Sequence, residues 1–127
     1  MIDLINTEAG QNPIGPYSQA VVANGFIFCS GTAGIDPNTQ ELVQGLANQT
    51  RQAFNNLKEV LSAAGSDLSK VVKVTVFLKD MESFGEMNEV YKEIFGNHNP
   101  ARTTVEVSDL PKREALVVVE LVAVVNG

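Results

Sequence analysis

Arg102 and Glu120 are the residues whose types and surroundings point most directly to chemistry. Glu120 is the single charged residue in the apolar stretch Ala115–Val125. Burying a carboxylate there without a partner costs heavily, so Glu120 needs a cation, a proton or a functional reason to occupy the position. Arg102 opens the preceding β-rich segment and is its natural partner. If the two segments pair as antiparallel strands, Glu120 falls opposite or diagonal to residues 102–104. Two readings follow. One is a plain Arg–Glu pair that ties two strands together. The other is an anion site, because the planar guanidinium meets a carboxylate through two parallel hydrogen bonds that an ammonium cannot copy.

Three more polar residues sit where a site could gather them. Tyr17 lies in Gly15-Pro16-Tyr17-Ser18-Gln19, at a loop-to-strand junction. Ser30 ends a strand on the alternation of Phe26 and Phe28. Asn88 shares a helix face with Phe84, Tyr91 and Phe95. Each also has an ordinary structural role: an aromatic with its hydroxyl in water, a hydroxyl bonded to backbone, an amide that satisfies a loop. His98 is the single histidine and lies in a loop, so no metal site is expected. No Ser-His-Asp arrangement, P-loop or Gly-x-Gly-x-x-Gly pattern is present. Cys29 alternates with its neighbours in a strand and reads as an inert core thiol.

The elements that must position these residues follow from periodicity. The chain has 127 residues, 44% hydrophobic and 19% charged, which predicts one domain over residues 1–127. A net charge of -6 argues against nucleic acid as a partner. The apolar run near the C-terminus is too short to span a bilayer, and Met1–Ile5 shows no signal-type pattern, so a cytoplasmic protein with no membrane partner is expected. Ile2–Ile5 reads as a short edge strand. Asn24-Gly25 between two β-rich runs predicts a type I′ hairpin. Residues 45–64 carry Leu46, Ala53, Phe54, Leu57 and Leu61 at helical spacing, with Gly65 to end the helix. Residues 71–78 read as a strand. A second helix is expected over 83–95, with Ser83 and Glu86 at capping-box spacing and Gly96 closing it. Two strands, 102–108 and 115–125, follow. The fold class is α+β: a mixed sheet with two helices on one face. Both alternating sets of the last strand are apolar, so both faces need cover. Two helices cover one, and partner subunits are the simplest cover for the other.

At this point the chain resembles a known family. Ile14-Gly-Pro-Tyr-Ser-Gln-Ala20, Phe28-Cys-Ser-Gly31, Asn88-Glu-Val-Tyr91, Pro100-Ala-Arg-Thr-Thr-Val-Glu-Val107, Leu110-Pro-Lys112 and the Glu120 strand match, in that order, the RidA family, also called the YjgF family. The resemblance runs from about Pro13 to Val125. It implies a chorismate-mutase-like fold, a barrel-like homotrimer with clefts between subunits, and no cofactor. It also implies hydrolysis of 2-aminoacrylate, 2-iminopropanoate or 2-iminobutanoate to a 2-keto acid and ammonia. The family's site positions fall on Tyr17, Ser30, Gly31, Asn88, Arg102, Thr104 and Glu120. Arg102 would hold the substrate carboxylate, with Gly31 and Thr104 helping to orient it. Glu120 would position water and relay protons. Tyr17 and Ser30 would line the pocket, and Asn88 would support it. Thr104 stands where many members carry Cys, and Thr32 where many carry Gln. The alternatives are a 2-keto-acid-binding regulatory module, or a translation-inhibiting endoribonuclease activity ascribed to some relatives.

Overall fold

A computed structural model of the chain describes residues 1–125, and the last two positions of the domain expected over residues 1–127 lie outside the described residues. Asn24 and Gly25 take φ of 54° and 79°, the left-handed conformations that a type I′ turn requires. They fold β2 (Ala20–Ala23) back onto β3 (Phe26–Ala33), with Ala23 opposite Phe26. The expected edge strand β1 (Ile2–Ile5) pairs antiparallel with β2. A short ribbon of β4 (Ile35–Asp36) and β5 (Glu41–Leu42) leads into α1 (Leu46–Ala63). Then come β6 (Val71–Leu78), α2 (Phe84–Phe95), β7 (Ala101–Glu106) and β8 (Val117–Val124). The main sheet has six strands in the order β1-β2-β3-β8-β6-β7. Only β6 and β7 run parallel, so the sheet is mixed, and the two helices lie on one face of it as expected.

Gly65, at φ 79°, ends α1 as predicted, and Ser66 N donates to Leu61 O at 2.8 Å to satisfy the last turn. The start of α2 differs from the expectation. Ser83 makes no side-chain cap bond, because its backbone is already helical. The turn begins earlier, where the Asp80 carboxylate accepts from Glu82 N at 2.9 Å and opens a 3-10 turn over Met81–Ser83. A capping residue needs extended backbone, which Asp80 has and Ser83 lacks.

The pairing of the last two strands also departs from the sequence reading. β7 does not pair with β8, because β6 lies between them. The reason is the helix that joins β6 to β7. A strand–helix–strand crossover favours a parallel neighbour, and β7 takes the free edge beside β6. β8, apolar on both faces, takes the centre between β3 and β6. Its residues Val117, Val119, Leu121 and Ala123 are buried in the core with Phe54, Leu57 and Leu61 of α1. Val118, Glu120, Val122 and Val124 point the other way. On that face Phe26 and Phe28 stand 42% and 49% exposed, and no helix among the described residues covers them.

Candidate active site

Glu120 projects from the open face of β8, opposite a break in the pleat of β3. Cys29 pairs with Leu121, but the next matched pair is Thr32 with Val119. Ser30 and Gly31 together therefore face Glu120 alone, which is a β-bulge. The extra residue switches the inward set of β3. Cys29 is buried before the bulge and Thr32 after it, so the simple alternation expected for Ser30 does not persist. Gly31 sits close to β8: a Cβ there would lie 3.0 Å from Val118 Cγ1, so any larger residue would push that side chain aside. Ser30 is held at both ends. Its N–H donates to Gln19 O at 2.9 Å and its hydroxyl to Ser18 O at 2.7 Å.

Tyr17 closes over this bulge from the preceding loop. Its hydroxyl accepts a hydrogen bond from Ile14 N at 3.2 Å, and the ring remains 41% exposed. Tyr17, Ser30, Gly31 and Glu120 line one pocket of about 620 Å³, together with Ile14 and Lys112. The structure thus gathers four of the seven expected site residues.

Two glutamines whose role was not legible in the sequence hold the loop in place. Gln19 is buried. Its Oε1 accepts from Thr7 N at 2.7 Å, and its Nε2 donates to Thr7 O and Gln11 O. Gln11 in turn accepts from Ala33 N at 2.8 Å. Further along, Gln49 of α1 accepts from Leu116 N at 2.9 Å, and Gly34 passes so close that a Cβ would sit 2.4 Å from Gln49 Cα. A glutamine in a loop carries no periodic signal, so nothing in the pattern distinguishes these from solvated ones. Lys112 was visible only as part of the Leu110-Pro111-Lys112 segment.

The other three expected residues form a separate cluster. Arg102 sits opposite Val74, and Thr104 opposite Val76, so both face the helices. The Arg102 Nη1 donates to Asn88 Oδ1 at 2.8 Å. Its guanidinium carbon lies 4.7 Å from the Tyr91 ring centre and 5.6 Å from that of Phe84. The ion pairs among the described residues are Arg51–Glu93 and Lys79–Asp109, so no carboxylate neutralises Arg102. The Thr104 and Tyr91 hydroxyls are buried with no hydrogen-bond partner. Burial raises the Tyr91 pKa above its ordinary value, with the Arg102 charge pulling against it.

The expected Arg102–Glu120 pair is therefore not formed within one chain. Glu120 lies opposite Thr75, which lies opposite Thr103 in β7. Arg102 is next to Thr103 and turns to the opposite face, so the two side chains leave the sheet in opposite directions. Cys29 is buried and its thiol is pushed up to about 12 by desolvation, which fits the inert thiol expected. His98 bonds Val71 O at 2.7 Å and packs on Phe95, with no hydrogen bond to either cluster.

Residues 7–125 match the model of a family described as endoribonuclease L-PSP. The chain is 52% identical over 124 residues to a RutC family protein of Pyrococcus horikoshii, covering 97% of this chain and 98% of that one. It is 44% identical over 110 residues to a human protein named 2-iminobutanoate/2-iminopropanoate deaminase, covering 86% and 80%. Among solved structures, a Yersinia pestis protein of the conserved Rid protein family superposes with a TM-score of 0.94 at 41% identity, covering 98% of this chain and all of that one. No helix among the described residues is long and apolar enough to cross a membrane.

Proposed function

We propose, from the premise that this chain belongs to the RidA (YjgF) family, that it hydrolyses imine and enamine forms of short 2-keto acids at sites shared between neighbouring copies. The substrates are 2-aminoacrylate, 2-iminopropanoate and 2-iminobutanoate, and the assembly is a homotrimer. No metal or cofactor is invoked.

The observation that carries this reading is the condition of Arg102. It is half-buried, held by a neutral amide and two aromatic rings, and has no acid in ion-pair reach. A cation so placed is available to a ligand carboxylate. The one carboxylate among the described residues that line the Tyr17 pocket, Glu120, lies on the opposite face of the sheet. One chain therefore offers two half-sites. A second copy, docked against the uncovered apolar face, would bring its Arg102 edge to the first copy's Glu120 pocket.

In such a cleft Arg102 binds the substrate carboxylate, and Thr104 and Gly31 help to orient it. Asn88 keeps the guanidinium in place. Glu120 takes a proton from water as the oxygen attacks the imine carbon. It gives that proton to the nitrogen to form a carbinolamine. It then takes the hydroxyl proton and passes it to the amino nitrogen as the C–N bond breaks, leaving 2-keto acid and ammonia. 2-Aminoacrylate enters this sequence as its imine tautomer, 2-iminopropanoate. Tyr17 and Ser30 line the pocket around the reacting carbon. The imine is already electrophilic, so modest catalysis suffices.

The test couples a threonine dehydratase to the purified protein and follows the imine with and without it. Faster decay of the imine with matching ammonia release is the expected result. If the decay is unchanged while 2-oxobutanoate binds, the cleft is a binding module and not an enzyme site.

A further inference from the structure

We infer that Phe84 and Tyr91 are positioning residues that hold the Arg102 fork in its working plane without discharging it. The inference rests on the carboxylate-binding reading of Arg102 above and adds the device that keeps that cation ready.

A guanidinium can be fixed in three ways. A carboxylate fixes it firmly but neutralises it, and a ligand carboxylate must then compete for the same fork. Water leaves it mobile, and an Arg side chain has many rotamers to lose on binding. Neutral acceptors and aromatic faces restrain it and leave the charge whole. Arg102 is held in the third way. Asn88 Oδ1 takes one N–H at 2.8 Å, which leaves the remaining donors of the fork for a ligand. The ring faces of Tyr91 and Phe84 lie 4.7 Å and 5.6 Å from the guanidinium carbon, within the range of a cation–π contact.

The two rings differ in how they are anchored. Tyr91 is half-buried and packs against the core, 4.7 Å from the Phe95 ring and 5.8 Å from Phe54. Phe84, at the first turn of α2, is 39% exposed and makes no comparable contact with the core aromatics. Phe84, Asn88 and Tyr91 stand four and three residues apart, which places all three on one helical face above β7. The Tyr91 hydroxyl has no partner, so the ring and not the hydroxyl is the part used.

The test measures 2-oxobutanoate affinity and imine KM and kcat for four variants beside wild type. Phe84→Leu keeps an apolar residue at a partly exposed position. It should raise KM and weaken 2-oxobutanoate binding about threefold, with kcat little changed, as expected for one exposed cation–π contact. Tyr91→Phe keeps the ring and removes the hydroxyl, and should lose less 2-oxobutanoate affinity than Phe84→Leu. The discriminating pair is Arg102→Gln alone and with Phe84→Leu. If Phe84 acts through Arg102, the double variant is no worse than Arg102→Gln alone. Equal binding by Phe84→Leu and wild type overturns the inference, as does an unchanged Phe84→Leu penalty in the Arg102→Gln background. A loss in Tyr91→Phe equal to that of Phe84→Leu also overturns it, since the hydroxyl would then be the active part. Wild-type protein that fails to bind 2-oxobutanoate at all removes the underlying carboxylate reading instead.

Discussion

Around Glu120 the pocket is held by backbone, whereas around Arg102 the cluster is held by side chains. The first region is a loop and a bulge. Ser30 is tied to Ser18 and Gln19, and the loop to Thr7, Gln11 and Ala33, through hydrogen bonds to main-chain atoms. The second is an aromatic and amide cradle between a helix and an edge strand, in which Arg102 meets Asn88, Tyr91 and Phe84. The difference bears on what each half can do. A backbone-held pocket fixes where a reacting atom and a water sit. A cradle of neutral side chains keeps a charge undischarged. The Glu120 pocket has a cation of its own in Lys112, but an ammonium lacks the planar fork of Arg102, and Glu120 and that fork lie in different halves, which is why the proposed chemistry needs two copies.

The sharpest way to break this comparison is to destroy each half in a different copy. Glu120→Gln should lower imine hydrolysis by ~10²–10⁴ while 2-oxobutanoate binding persists. Arg102→Gln should lose hydrolysis and weaken 2-oxobutanoate binding more than tenfold, to a level still measurable at high ligand concentration. Co-refolded together, the two inactive variants should regain activity if the proposed assembly forms, because a mixed trimer would hold one site with Glu120 from one copy and Arg102 from the next. Activity that stays at the level of the separate variants would mean that each site is built from a single chain. Glu120→Gln should also leave the melting temperature nearly unchanged, because Glu120 is exposed in the protomer and pairs with no cation among the described residues.

A smaller effect is expected from Arg102→Lys. The charge stays but the fork is lost, and with it one charge-assisted hydrogen bond worth roughly 1.5–3 kcal/mol. The coupled assay should show kcat/KM down more than tenfold, with sedimentation still reporting one species of three chains. A wild-type rate would make Arg102 a packing residue.

Much of this organisation was legible in the sequence, and the part that was not has a common cause. The strand at 71–78, the helix of residues 46–63, the Asn24-Gly25 turn and the uncovered face of β8 all follow from local periodicity and turn chemistry. The pairing of β7 was misread because it depends on which strand a crossover helix returns to, and periodicity does not encode that. The error mattered, since it put Arg102 beside Glu120 when an intervening strand separates them. The bulge at Ser30-Gly31 was invisible for a similar reason. It exists only in relation to β8. The roles of Gln11 and Gln19 come from contacts across several residues of loop, and a single buried amide leaves no pattern.

Gln19 gives the next test, aimed at the backbone-held half alone. Gln19→Ala strands Thr7 N and Gln11 O, and leaving buried polar groups unpaired should cost roughly 2–3 kcal/mol in all. Thermal melting should show the loss. The imine KM should rise as the Tyr17 loop loosens, while the fluorescence of Tyr91, next to Arg102 and read with Tyr17 replaced by Phe because the chain has two tyrosines and no tryptophan, stays at its reference value. A change at Tyr91 would mean that the two halves are mechanically coupled within the chain.

At neutral pH the smallest effect is expected at Cys29, and its growth at high pH sharpens the comparison by its direction. Cys29 is adjacent in sequence to Ser30 but on the core side of β3, opposite Ala20 and Leu121. Desolvation pushes its thiol from about 9.0 to about 12. The unfolded chain therefore gives up this proton near pH 9, while the folded chain keeps it until near pH 12. In that window the folded state binds more protons, so stability is full below about pH 9 and falls as pH rises toward 12. The expected slope from this one group is about 1.4 kcal/mol per pH unit. Melting curves of wild type and Cys29→Ala, taken from pH 7 to pH 11, separate it from every other titration. Cys29→Ala should start lower, because it leaves a small cavity, and lose less on the way up. At pH 8 native protein should resist iodoacetamide and react once denatured. Parallel curves, or rapid alkylation of the native protein, would mean that the thiol reaches the Ser30 side of the sheet and belongs with the pocket instead of the core.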